Sequence, residues 1–452
     1  MNSNSNRFIY IAVSAILFVA LLFELPIQVI GVINLFFLFF SFFSLSKVQK
    51  SVFTPFNVIL ACLFLFHSGH LWLSLVSSDV ARWDFLFNYT ATEAQKIKTY
   101  SYVTQLIIVF YWAGMLNLKP YIKVKTVKEK LEKWTSPLLI FITICAYMLC
   151  FYYDIGRAAR VQALGYGAGY QYESGFSYTV SVFLNELLIL LFIVNRHNKR
   201  MLFFLISLVS IRLILVLVLI GNRGAAIIFA IMIIYILAKY TSYSRFFSNK
   251  FSLFLIVLAG SIALPFISLT RNDYIQTNGA VDFIITYNPF TYFLAEFGGT
   301  IKTLFIAMEY NYEKFLNGAQ FFYSSLAIFP GSDFLFGGSS REYIGFALAL
   351  NRLDAIRGLG GSLIANIYVN FGYSIFAYIA MGIMGWITSF FSNGLVQRKT
   401  SLYTTLIYFG MFFGMLTAVR GEWYDFLINI KLMAYLIILM WVASKLGFKL
   451  VR

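Results

Sequence analysis

Residues 27–46 read IQVIGVINLFFLFFSFFSLS, twenty positions without a charge. At 1.5 Å of rise per residue they build a helix of about 30 Å, the thickness of a bilayer's hydrocarbon core. Pro26 precedes the run, and Lys47 and Lys50 close it. Working outward from this stretch, similar apolar runs recur at roughly 8–24, 53–75, 99–118, 136–153, 177–195, 201–221, 223–239, 251–269, 361–390, 402–419 and 425–444. Twelve spans are therefore expected. Composition agrees: 60% of the 452 residues are hydrophobic and 12% are charged, about half the charge of a soluble domain. The first run lacks a small-residue cleavage site and turns through Glu24-Leu25-Pro26 into the second, so a retained helix is expected rather than a signal peptide.

The net charge of +16 invites a nucleic-acid reading, but the distribution of Lys and Arg over short loops gives it another meaning. With the N-terminus in the cytoplasm, twenty basic residues fall on the cytoplasmic segments and only Glu129 and Glu132 oppose them. The other 15 basic and 17 acidic residues lie in the spans or on the outer side. Both termini are thus placed in the cytoplasm, the bilayer is the partner of the excess charge, and no nucleic acid is implied.

One long outer loop, about 270–360, divides the chain into helices 1–9 (1–269), the loop, and helices 10–12 (361–452). Its stretches Phe290 to Tyr310 and Gly318 to Phe329 are aromatic and leucine-rich, which suggests re-entrant or interfacial helices. No repeat of 20–50 residues and no matched pair of broken spans is visible. The glycine run Gly165-Tyr166-Gly167-Ala168-Gly169 follows no strand and reads as loop.

Ionisable groups at membrane depth are functional suspects. Glu186 and Arg212 lie at similar depth on adjacent antiparallel helices and are expected to pair architecturally, while Lys431 is placed to snorkel outward. Eight arginines crowd the outer side, where basic residues are disfavoured: Arg157, Arg160, Arg223, Arg271, Arg341, Arg352, Arg357 and Arg420. The planar guanidinium grips phosphate oxygens by two points and stays charged when desolvated, so these eight are expected to bind a lipid-linked diphosphate. The bland alternative pairs each with a nearby acid such as Glu342, Asp354, Glu422 or Asp425. Glu296, Asp273 and Glu422, on the outer side, and His70, which shares a helix face with His67, are the candidate bases for proton abstraction. Lone histidines in spans more often serve packing. Cys62, Cys145 and Cys150 all lie in apolar runs, and there is no D-x-D, H-E-x-x-H or Walker motif, so neither metal nor cofactor is expected.

Gly221-Asn222-Arg223-Gly224-Ala225 opens one span, and Gly360-Gly361-Ser362-Leu363-Ile364-Ala365-Asn366-Ile367-Tyr368-Val369-Asn370-Phe371-Gly372 leads into another. With the large loop before the second motif, Gly318 to Pro330 inside it, and Arg420 after the next span, the layout resembles the Wzy-type O-antigen (oligosaccharide repeat-unit) polymerases. That resemblance implies an all-α polytopic membrane protein, GT-C-like, with about twelve transmembrane helices and a large, partly helical periplasmic loop. It implies a glycosyltransferase of the bacterial inner membrane acting on undecaprenyl-diphosphate-linked oligosaccharide, with undecaprenyl diphosphate as leaving group and a chain-length-regulating co-polymerase as a further partner. Two departures stand out. The stretch Ala365-Asn366-Ile367-Tyr368 holds no acidic residue, and Arg157 and Arg160 lack a glycine at the spacing some members show. The O-antigen ligase is the nearest alternative; a lipid-linked oligosaccharide flippase is the alternative from another class.

Overall fold

The computed structural model describes residues 3–76, 91–120, 137–164, 175–220, 223–241, 289–309, 318–327, 329, 361–397 and 401–445. All regular structure among them is helical, and eight helices are long and apolar enough to cross a membrane. Exposed Phe36, Phe39 and Phe43 on one helix, and Trp386 and Phe390 on another, show why such helices need lipid around them.

The chain divides into two compact units. The first comprises residues 1–124 and 294–428. Its long helices are α1 (Ser3–Ala20), α2 (Ile27–Gln49), α3 (Pro55–Val76) and α4 (Glu93–Asn117). Arg7 donates to the carbonyl of Leu118 at 2.6 Å, a cation at the C-terminus of α4, while Gln105 of α4 reaches the carbonyl of Leu21. Hence α1 and α4 run antiparallel. A single amide ties three helices together: Asn34 donates to Ser68 at 3.1 Å and Thr104 at 2.9 Å, and accepts from Trp72 at 2.9 Å. Each such buried polar group is tolerated in an apolar bundle because it is paired.

The later part of this unit contains most of α9 (Pro289–Gly298), then α10 (Ile301–Glu309), α11 (Ala319–Leu326), α12 (Leu363–Phe371), α13 (Ile375–Gln397), α14 (Leu402–Arg420) and the start of α15 (Trp423–Lys445). The run expected as one span at 361–390 is two helices. Gly372, at φ 60°, ends α12 after nine residues, about 14 Å, and α13 starts three residues later. α12 is enclosed along all but its last residue: Leu363 to Asn370 are all buried. α13 lies along α4 so closely that a side chain at Gly385 would strike the carbonyl oxygen of Phe110.

The second unit, residues 125–293 and 429–452, is built on α5 (Pro137–Leu164), α6 (Gly175–Val194), α7 (Lys199–Ile214) and α8 (Arg223–Tyr240). A π-helical segment, Leu215–Ile220, prolongs α7. The expected Glu186–Arg212 ion pair is absent from this unit. Arg212 instead faces Asp154 of α5 at 3.5 Å, donates to Asn185 Oδ1 at 2.6 Å and donates to Ser181 Oγ. The reason is rotational. Positions 181 and 185 share one face of α6, and Glu186, one residue on, is turned about 100° away. Glu186 is fully buried, and neither carboxylate oxygen has a hydrogen-bond partner among the described residues. The expected span at 251–269 lies outside the described residues.

Candidate functional site

Two glycine crossings in the first unit bring its chemistry-bearing segments together. At the first, Gly69 of α3 meets Gly298 at the end of α9. A side-chain carbon on Gly69 would lie 2.8 Å from the carbonyl oxygen of Leu294 and 3.1 Å from Gly298 Cα, and one on Gly298 would overlap the backbone nitrogen of His70. At the second, Gly361 meets Gly421, where an added carbon would stand 2.8 Å from Gly421 Cα. Only a missing Cβ permits backbones to approach this closely.

The first crossing fixes the loop motif Ala295-Glu296-Phe297-Gly298-Gly299 against the histidines of α3. Phe297 packs on Phe66, with ring centroids 5.5 Å apart. The second sets Gly361 and Ser362, just before α12, beside Arg420 at the end of α14. Arg420 is half-buried, and its guanidinium lies over the Phe66 ring, 5.6 Å from the centroid. Phe66 thus touches both crossings. A cation held on an aromatic face gains roughly 0.5–1 kcal/mol at an exposed site and keeps its donors free for a ligand. Among the described residues Arg420 has no carboxylate in ion-pair range. Asp425, one of the neutralising partners of the alternative reading, accepts from the backbone N–H of Glu422 at 2.7 Å, at the start of α15.

His67 and Ser362 join the two crossings by side chain. His67 Nδ1 stands 3.2 Å from the carbonyl oxygen of Leu63, and Nε2 stands 3.0 Å from Ser362 Oγ. A carbonyl only accepts, so Nδ1 carries the proton and Nε2 accepts from the serine hydroxyl. Ser362 Oγ in turn accepts from Ala365 N–H at 3.2 Å and caps α12. Both side chains are fully buried, and His67 lies just past the middle of α3. α12 therefore begins inside the bundle, its positive end directed toward the region of Gly421 and Arg420. His70 Nδ1 lies 2.9 Å from the hydroxyl of Tyr100.

Beyond the cap, Asn366 and Asn370 both donate to Gln320 Oε1, at 3.0 Å and 3.2 Å, and Asn370 Oδ1 accepts from Gln320 N–H. α11 is clasped to α12 by this amide cluster. Next to Gln320, Phe321 stacks on Trp423 at 5.6 Å, and Trp423 on Phe426 at 4.7 Å.

Of the residues selected from sequence, the first unit brings His70, Arg420 and Glu422 to this region, with the backbone of Glu296. In the second unit Arg157, buried, and Arg160 lie on α5, Arg157 one turn from Asp154, and Arg223 is the first residue of α8. Arg271, Arg341, Arg352, Arg357 and Asp273 fall outside the described residues. Sequence reasoning missed Asp154, the Ser362 cap and the Gln320 cluster. The spacing of Ser362, Asn366 and Asn370, every fourth residue in an otherwise apolar run, was the available signal.

No curated protein and no solved structure matches this chain. A family model described as O-antigen polysaccharide polymerase Wzy matches residues 6–449, nearly the whole length, so the multi-pass membrane protein described above belongs to that family and has a polymerase role in O-antigen synthesis.

Proposed function

We propose that the chain transfers a growing glycan from undecaprenyl diphosphate to the sugar end of an incoming lipid-linked repeat unit, at the periplasmic face of the inner membrane. The observation that carries this reading is Arg420: a half-buried guanidinium on Phe66, without an acidic partner among the described residues, beside the buried start of α12.

In the reaction an acceptor hydroxyl attacks the anomeric carbon. The bond from that carbon to the diphosphate oxygen breaks, and its electron pair leaves with undecaprenyl diphosphate. Negative charge therefore grows on the diphosphate. A fixed cation in a water-poor site stabilises that charge without reorganising, and loss of one such donor costs about 10²–10³ in rate. Arg420 fills this role, with the positive end of α12 adding to the field. Arg157, Arg160, Arg223, Arg271, Arg341, Arg352 and Arg357 complete the proposed set of phosphate-binding arginines. The proton of the acceptor hydroxyl passes to one of Glu296, Glu422, Asp273 or His70.

The test is the glycan ladder of a deletion strain complemented with variants. Single-unit capped lipopolysaccharide in the deletion supports polymerisation, whereas complete loss of capped core supports ligation instead. Arg420→Ala is expected to return the deletion pattern with the protein still inserted, and Arg420→Lys to restore short chains at most, because an ammonium lacks the two-point grip.

A further inference from the structure

α12 carries a polar stripe that the diphosphate reading does not use. Ser362, Asn366 and Asn370 stand at successive fourth positions on one face of a helix whose other residues are apolar, and they are 0%, 2% and 0% exposed. Gln320 of α11, 7% exposed, completes the group. Every member is formally neutral. Nearly all the hydrogen-bonding capacity is spent internally: Ser362 on His67 and Ala365, Asn370 on Gln320 and the carbonyl of Asn366, and Asn366 Nδ2 on Gln320. Among the fully buried side-chain atoms of the group the exception is Asn366 Oδ1, which receives no hydrogen bond among the described residues.

A buried amide oxygen left without a donor costs about 1–3 kcal/mol. It asks for a ligand that brings an O–H or N–H and no charge. A phosphate, which only accepts, does not meet that need; a sugar hydroxyl does. The stripe also lies on the same helix whose start adjoins Arg420, and Phe321 and Trp423 add a half-buried aromatic face beside Gln320. Amide donors and acceptors next to stacked aromatic rings form the usual chemistry for a polyhydroxylated ring.

We propose that Asn366, with Gln320 and Asn370 holding it, is a specificity-determining subsite for a sugar hydroxyl of the lipid-linked repeat unit, separate in chemistry from the diphosphate contact at Arg420. This rests on the polymerase reading for its choice of ligand. The substrate class it names is the neutral glycan portion, recognised by donation of a hydroxyl hydrogen to Asn366 Oδ1.

The experiment uses the full chain in lipid nanodiscs. The probe is the host's own oligosaccharide repeat unit, released from its lipid diphosphate by mild acid and therefore free of phosphate. Binding is measured by thermophoresis for the wild type, Asn366→Leu and Asn366→Ser, each first shown to be monodisperse. Removing one hydrogen bond of this kind is expected to weaken binding about tenfold in Asn366→Leu. Asn366→Ser, which restores a small acceptor, is expected to fall between. A set of singly deoxygenated repeat units supplies the second arm. One deoxy analogue should bind the wild type about tenfold less well and bind Asn366→Leu no less well than the parent sugar does. Equal binding of the parent sugar by wild type and Asn366→Leu overturns the proposal, as does a deoxy penalty of the same size in both proteins, which would leave Asn366 Oδ1 to a buried water. If the deletion strain instead makes a normal ladder, the polymerase reading fails while this binding result is read independently.

Discussion

The crossing of Gly69 and Gly298 invites a one-carbon perturbation. In Gly298→Ala the new methyl group would overlap the backbone nitrogen of His70 and sit against Gly69. The atoms it meets belong to backbone, so no side chain can rotate aside, and α9 must retreat from α3. Overpacking of a tight interface costs about 1–3 kcal/mol. Retreat also shifts Phe297 from Phe66, and with it the surface on which Arg420 rests, so the functional loss should exceed the stability loss. Two control substitutions isolate the steric term. At Gly382 an added carbon would stand 3.6 Å from Val109, an ordinary contact, and at Gly156 it would meet nothing within 4 Å. Both lie within helices, where glycine-to-alanine replacement at a compatible site stabilises by about 0.4–1 kcal/mol. The assay is thermal loss of the monodisperse peak in size-exclusion chromatography, alongside the glycan ladder. Gly298→Ala should melt lower than wild type and give a truncated ladder, while Gly382→Ala and Gly156→Ala melt at or above wild type with normal ladders. A Gly298→Ala protein of wild-type melting temperature and full ladder would refute the claim that this crossing builds the site.

Further expectations concern the buried polar links. In a double-mutant cycle, Arg212→Gln with Asp154→Asn should show coupling of about 1–3 kcal/mol, whereas Arg212→Gln with Glu186→Gln should be additive within about 0.5 kcal/mol; the reverse pattern, measured by thermal stability, would restore the Glu186 pairing. Ser362→Ala removes the cap of α12 and should cost about 1 kcal/mol, and in a double-mutant cycle it should couple to His67→Ala by about 0.5–1.5 kcal/mol, since the two side chains share a hydrogen bond. Fully additive losses in the same melting assay would separate the cap from the histidine.

Much of the fold was legible because a membrane imposes a length rule. The runs at 27–46, 53–75 and 402–419 return as α2, α3 and α14 within a few residues. The run at 361–390 did not, because hydropathy is blind to a break between two equally apolar helices, and only the left-handed Gly372 marks it. Depth was legible and rotation was not. Counting from the turn put Arg212 level with Glu186, but 100° per residue decides which of Asn185 and Glu186 it meets. At the candidate site, Arg420 stood out in sequence through the expectation that cations are disfavoured on the outer side, and His70 as an ionisable group within an apolar run. The bond from His67 to Ser362 joins residues 295 positions apart, and the glycine crossings depend on what is missing from a side chain. Neither leaves a periodic mark in sequence.

The most direct measurement of the central claim is binding of undecaprenyl diphosphate to the purified chain in nanodiscs, wild type against Arg420→Ala, with the undecaprenyl alcohol as the uncharged comparison. The account predicts that Arg420→Ala weakens the diphosphate lipid by about tenfold to a hundredfold, the 1.5–3 kcal/mol of a charge-assisted hydrogen bond, and leaves the alcohol unaffected. Equal affinity of both proteins for the diphosphate lipid would contradict it.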